Sequence, residues 1–229
     1  MTENRPESVP ASSPSDDASA ASPREYPELC NRILRGDRDA LAEMFSKYRP
    51  RLWRMVNFRL DPRLQGRVDA DDVLQDAWIK AVDRIGYFLR DASHSPFIWF
   101  RMIVAQTLIE LHRRHMGAEK RSAARETSIF RGWSSDSTSL SMTFHLMGSI
   151  TSPSSAACQT ESAKLLETAL QGMNEIDREV LALRHFEELS NSETAKVLEM
   201  SEQAASLRYV RALARLKKIV EVIPGFNEK

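Results

Sequence analysis

Three stretches of the chain carry side chains whose types and spacing could do chemistry. The segment from Gln203 to Lys218 holds Arg208, Arg211, Arg215, Lys217 and Lys218 with no acidic residue, and Gln203, Ser206 and Leu207 lie near its start. On a helix docked in a major groove, the first turns would face base edges and the later cations would flank phosphates. A solvated basic face of a terminal helix is the plain alternative. The second stretch, DADDVLQDAWIKAVDRI, gathers Asp69, Asp71, Asp72, Asp76 and Asp83 on and before one helix. These acids spread over more than one face and no other ligands lie nearby, so no metal site is expected. Capping explains the first three, and Asp72, Gln75, Asp76 and Lys80 suit either a solvated face or one that binds a basic partner. In the third, SPFIWFRMIVAQTLIELHRRHMGAEKR, Phe97, Trp99 and Phe100 precede Arg113, Arg114, Lys120 and Arg121. Aromatics beside positive charge suit single-stranded nucleic acid, whose bases stack on rings while cations follow the backbone. Phe97, Phe100 and Val104 read as core, and Trp99 fits either role.

Enzyme chemistry has no residues to rest on. Among eight glycines and five histidines there is no phosphate-binding glycine loop, nucleophile elbow or His-Glu-x-x-His pattern. His112 and His115 share a helix face without a third ligand and read as part of the basic patch. Cys30 and Cys158 are far apart and outside any metal-ligand spacing. No cofactor is expected. With no signal-peptide core and no apolar run near the ~18 residues that span a bilayer, a soluble, cytoplasmic chain without membrane insertion is expected.

The 32 basic and 32 acidic side chains cancel, but not locally. Residues 36–125 hold 17 basic against 12 acidic, and residues 161–229 hold 10 against 12. A phosphate backbone responds to the local field rather than to net charge, so two basic patches in a neutral chain are compatible with a DNA reader.

The elements that must position these groups are helical. Leu41, Met44, Phe45, Tyr48, Leu52 and Met55 recur at helical spacing, as do Val73, Leu74, Ala77, Trp78 and Ala81, and then Phe97, Phe100, Val104, Leu108 and Leu111. No stretch alternates like a strand. Asp69 with Asp72 signals one helix start, Asn174 with Asp177 another, Ser190 with Glu193 a capping box, and Ser201 the cap of the last helix. Pro50 is expected to bend or interrupt its helix. In the second block helices are expected at about 161–172, 175–187, 191–199 and 202–220, the last two joined by a turn of about three residues, as in helix-turn-helix units. Residues 1–23, with six serines and four prolines, read as a disordered tail. Residues 126–160 contain 15 Ser or Thr and lack a sustained helical period, so they read as a long linker, with Phe144 and Leu146 among the side chains apolar enough to dock.

The three stretches, in this order, resemble a bacterial RNA polymerase sigma factor of the sigma-70 family, in its extracytoplasmic-function branch. DADDVLQDAWIKA is similar to the family's region 2.2, which places Asp72, Gln75, Asp76 and Lys80 on the clamp helices of the polymerase beta-prime subunit. WFRMIVAQTLIELHRR is similar to the region that melts and captures the minus-ten element, implicating Trp99, Arg101, Gln106, Glu110, Arg113 and Arg114. ALRHFEELSNSETAKVLEMSEQAASLRYVRALARL is similar to region 4, which reads the minus-thirty-five duplex, implicating Arg184, Gln203, Ala204, Ser206, Leu207, Arg208, Arg211 and Arg215. The resemblance also implies a contact with the beta flap and an anti-sigma partner.

Its fold implication is an all-α chain of two small helical domains, residues 24–122 and 161–222, joined by a flexible linker at 123–160, with a tail at 223–229. Its functional implication is a promoter-specificity factor that binds core polymerase and has no catalysis of its own. A free-standing helix-turn-helix regulator that acts without polymerase is the alternative. The chain departs from the family pattern at Gln106, Glu110 and Ala105. Glu199 replaces a common turn glycine, which puts a left-handed turn there in doubt. Ala204 and Leu207 replace polar residues, and an apolar group at Leu207 could meet a thymine methyl.

Overall fold

A computed structural model describes residues 26–64, 66–90, 95–115, 135–148, 156–223 and 226. The serine- and proline-rich tail and the stretches 116–134 and 149–155 lie outside the described residues. Among the described residues there is no strand, and nine α-helices follow in order. They are α1 (Pro27–Leu34), α2 (Arg38–Arg59), α3 (Ala70–Arg90), α4 (Pro96–His115), α5 (Ser135–Gly148), α6 (Ala156–Gln171), α7 (Glu175–Leu181), α8 (Asn191–Val197) and α9 (Glu202–Glu221).

Helices α2, α3 and α4 pack their apolar stripes together around an aromatic centre. Phe45 lies 5.2 Å from both Trp78 and Phe100, and Tyr48 lies 5.5 Å from Phe97. Pro50 does not interrupt α2, which runs unbroken for 22 residues. Proline removes one backbone donor, but Tyr48, Leu52, Met55 and Val56 on the flanking turns are buried and hold the helix together.

Helices α6, α7 and α9 surround a second core of Leu166, Leu170, Met173, Leu181, Ala212 and Leu216. The caps form as the sequence signals. Asp69 Oδ1 accepts from the Asp72 amide at 2.8 Å, and Asp72 Oδ2 accepts from the Asp69 amide at 3.1 Å. Asn174 accepts from the Ile176 amide, Ser190 and Glu193 form a complete capping box, and Ser201 accepts from the Ala204 amide. Glu199, where a left-handed turn was in doubt, does adopt one, with φ at +53°. The Met200 amide then donates back to the Ala195 carbonyl at 2.9 Å, closing the turn between α8 and α9.

Three elements differ from the sequence expectation, one of them α6, which begins at Ala156 inside the stretch read as linker. The helix expected over 175–187 becomes a wider π turn at Ala182–Phe186, in which the Glu187 amide donates to the Ala182 carbonyl five residues back. Residues 135–148, read as linker, form α5, which packs against α2, α6 and α7. Its buried side chains include Thr138, Ser139, Ser141 and Thr143 as well as Met142. A helix buried through hydroxyls shows no apolar period, because Ser and Thr can return their hydroxyls to backbone carbonyls and need not face water.

The two halves of the chain share their cores. Val180, Leu183, Leu189, Val197 and Leu198 join the cluster built by α1 to α4, while Phe58 of α2 and Met142 of α5 join the second. Phe58 stacks on Phe186 at 4.7 Å.

Candidate polymerase and promoter interfaces

The double Asp cap fixes the start of α3, and the helical repeat then sets Asp72, Gln75 and Asp76 on one exposed face. Lys80 is half-buried, and its Nζ donates to Glu110 Oε2 of α4 at 2.6 Å. The face borders a groove of about 380 Å³ between α3 and the end of α4. Asp72, Gln75 and Asp76 form one wall, Arg114 and His115 the other, and Val68, Ile79 and Leu111 line the space between. Ile79 is 55% exposed. Sequence reasoning passed over it, although it lies three residues beyond Asp76 and seven beyond Asp72, a spacing that marks the same face. An acidic wall beside a bare aliphatic side chain can take a helix that carries cations and apolar groups together.

On α4, the residues implicated in minus-ten binding divide. Gln106, Glu110, Arg113 and Arg114 form an outer stripe, and Arg84 of α3 donates to Gln106 Oε1. Trp99 is buried instead, packed 4.8 Å from Phe88 and 4.9 Å from Phe100. Arg101 also turns inward, and its Nε donates to Glu187 Oε2 at 3.0 Å. Tyr87, at the end of α3, is 69% exposed with the Arg90 guanidinium 6.0 Å from its ring. Tyr87 is exposed where Trp99 is not, and no apolar period in the sequence distinguishes the two. His112, read as part of the basic patch, accepts at Nε2 from the Asp61 amide at 3.3 Å.

Helix α9 presents Gln203, Ser206, Leu207 and Arg211 outward, Leu207 at 50% exposure, with Ala204 half-buried beside them. Three other implicated arginines are tied within the fold. Arg208 Nη1 donates to Asp177 Oδ1 of α7 at 2.8 Å, and Arg215 Nη2 to the Gly172 carbonyl at 3.2 Å. Arg184 Nη1 donates to the Leu189 carbonyl at 3.0 Å, and its guanidinium lies 5.1 Å from the Tyr209 ring. Among the described residues, no cluster of His, Cys, Asp and Glu could hold a metal ion, and no helix is long and apolar enough to cross a membrane.

Residues 44–117 match the family model for sigma-70 region 2, and residues 163–216 match that for sigma-70 region 4, together more than half of the chain. The chain belongs to the sigma-70 family, in its extracytoplasmic-function branch. It is 28% identical over 201 residues to the RNA polymerase sigma-H factor of Pseudomonas aeruginosa, covering 85% of this chain and 93% of that one. It is 26% identical to the ECF RNA polymerase sigma factor BldN of Streptomyces coelicolor, over 82% of this chain and 64% of that relative. The solved structure of CnrH in complex with the cytosolic domain of CnrY superposes with a TM-score of 0.47 at 18% identity, over 85% of this chain and 96% of that one. As a sigma factor, this protein binds core RNA polymerase and promoter DNA and directs transcription initiation. The free-standing regulator is not favoured.

Proposed function

We propose that the α3 face of Asp72, Gln75, Asp76 and Lys80, extended by Ile79, is the principal contact of this sigma factor with core polymerase and seats on the clamp helices of the beta-prime subunit. The observation that carries this reading is the acidic wall beside the exposed Ile79 on the groove between α3 and α4. The outer stripe of α4, with Tyr87, holds the melted minus-ten strand. The outward side chains of α9, Gln203, Ser206, Leu207 and Arg211, read the minus-thirty-five duplex. Arg184, Arg208 and Arg215 position α9 through their ties within the fold, and they reach DNA only by leaving those partners. Residues 24–122 and 161–222 act as the two reading units, the second also meeting the beta flap. An anti-sigma protein covers these surfaces when the factor is held inactive. The protein works in the cytoplasm, where its polymerase is, and without catalysis of its own.

Replacing Asp72 and Asp76 together by alanine tests the principal contact. Affinity for core polymerase should fall while binding of promoter fragments through α9 is kept; an unchanged affinity refutes the assignment. Asp72 also caps α3, so the helical content of the variant by circular dichroism is compared with the parent, and an Asp76→Ala variant repeats the test with the cap intact.

A further inference from the structure

Four arginines of the first half meet four glutamates of the second. At the rim, Arg54 and Glu188 pair at 3.0 Å. Further in, Arg51 Nη2 donates to Glu193 Oε2 at 2.7 Å, with the Arg51 guanidinium 3.6 Å from the Phe97 ring. At the centre, Glu187 is wholly enclosed between Arg59 and Arg101, and Arg59 also grips Glu179 through two hydrogen bonds of 2.6 and 3.1 Å. Thr138 of α5 closes the cluster, accepting from Arg59 Nη1 and donating to Glu179 Oε2, each at 3.1 Å. Burial opposes the charge on Arg59, but Glu179 and Glu187 more than offset it and hold the guanidinium firmly protonated. Two cations and two anions neutralise one another there, with a hydroxyl from the intervening helix adding two hydrogen bonds.

We propose that this cluster is a latch that keeps the two DNA-reading units closed against each other in the free protein, with α5 as its strap. The closed form cannot serve a promoter. Elements named for positions about 25 base pairs apart lie on the order of 85 Å apart along B-DNA, whereas a compact body of about 200 residues has a radius of gyration near 16 Å and is roughly 40 Å across. The latch also takes Arg101 away from DNA, since its guanidinium is inside the interface. Promoter reading therefore requires opening. Binding to polymerase must favour the open form, and the fraction of open protein sets the apparent affinity for polymerase.

The rim pair allows a test without disturbing either core. Fluorophores are attached at Glu43→Cys and Lys218→Cys, one on each unit, in a full-length chain carrying Cys30→Ser and Cys158→Ser. Energy transfer is then read on the free protein. High transfer is expected for the parent, lower transfer for Arg54→Glu or Glu188→Arg alone, and recovery when the two reversals are combined. Glu187→Gln should shift the closed-to-open ratio by about a hundredfold, because removing one partner of a buried ion cluster is strongly unfavourable only while the cluster is buried. Its apparent affinity for core polymerase should rise as the closed fraction falls, and its helical content by circular dichroism should match the parent. Low transfer in the free parent, or a charge swap that fails to restore it, overturns the latch. The inference rests on the two units reading separate promoter elements, yet the transfer measurement needs no polymerase. A chain that never binds core polymerase would defeat that reading and leave the latch to be decided by the transfer data.

Discussion

Replacing Ile79 by alanine isolates the apolar part of polymerase docking from its charges. The side chain is 55% exposed in the free protein, so roughly half of its apolar surface is still available to be buried. Alanine removes three carbons, each worth about 0.8 kcal/mol on full burial. Half of that total is about 1.2 kcal/mol, close to an eightfold loss of affinity. The same exposure makes the cost to the fold small, because little core contact is removed. Core polymerase titrated against labelled parent and variant gives the two dissociation constants, and thermal unfolding of the free proteins gives the control. A loss of five- to tenfold with an unchanged melting temperature is expected. A loss below twofold would remove Ile79 from the interface, and a matching fall in melting temperature would show that its work is done inside the fold.

Glu199→Gly should stabilise the free protein by about 0.5–1 kcal/mol. The left-handed φ of +53° costs a residue with a Cβ roughly 1–2 kcal/mol, and the greater freedom of glycine in the unfolded chain returns about 0.4–1 kcal/mol of that; urea unfolding reads the difference, and destabilisation would refute the argument. Acid should open the latch. Burial would raise the Glu179 carboxyl, but the Arg59 charge and hydrogen bonds, with Arg101 and Thr138, hold it below its ordinary value of 4.5. Glu187 shares the Arg59 guanidinium, and the His145 ring of α5 lies tilted 5.2 Å from that of Phe58. A carboxyl depressed in the closed form stabilises it fully above its ordinary value, and loses that contribution as the pH falls through the lower one. Energy transfer between the units should therefore hold from pH 8 to about 5 and decline below about 4.5; a rise on acidification would contradict it.

What could be read from the sequence was local. A cap needs one residue type at a fixed offset, so Asp69 with Asp72, Ser190 with Glu193, and Ser201 were legible, as were the apolar stripes of α2, α3 and α4. The acidic face of α3 was legible for the same reason, but Ile79 was lost within it because a lone aliphatic residue on a helix usually means core. Helix α5 was illegible because Thr138, Ser139 and Thr143 are buried by their hydroxyls, which defeats an apolar-period reading. Residue type alone argues against the left-handed turn at Glu199, whereas the hydrogen bond from Met200 to Ala195 holds that conformation. The pairing of Arg59 with Glu187 spans 128 residues. No local pattern announces it, and the motif resemblance pointed Arg101 outward to DNA.

The neutrality of the chain is compositional, but that same long-range pairing decides how its charges are displayed. Residues 36–125 carry five more basic than acidic side chains, while residues 161–229 carry two more acidic than basic. Arg51, Arg54, Arg59 and Arg101 face Glu193, Glu188, Glu179 and Glu187 in the closed form, so part of the excess of one half is answered by the other, and the remaining three net acidic charges lie in residues 1–35 and 126–160. Opening separates these charges. It returns four arginines to the half that handles the melted strand, and it leaves four glutamates on the half that reads duplex DNA, beside α7 and α8 rather than on the outward side of α9. The closed protein thus presents a weaker field to DNA, and the positive field of the first unit grows when the latch is released. Nonspecific DNA binding should then be weaker and less salt-dependent for the closed parent than for Glu187→Gln, because fewer counterions are displaced from the duplex.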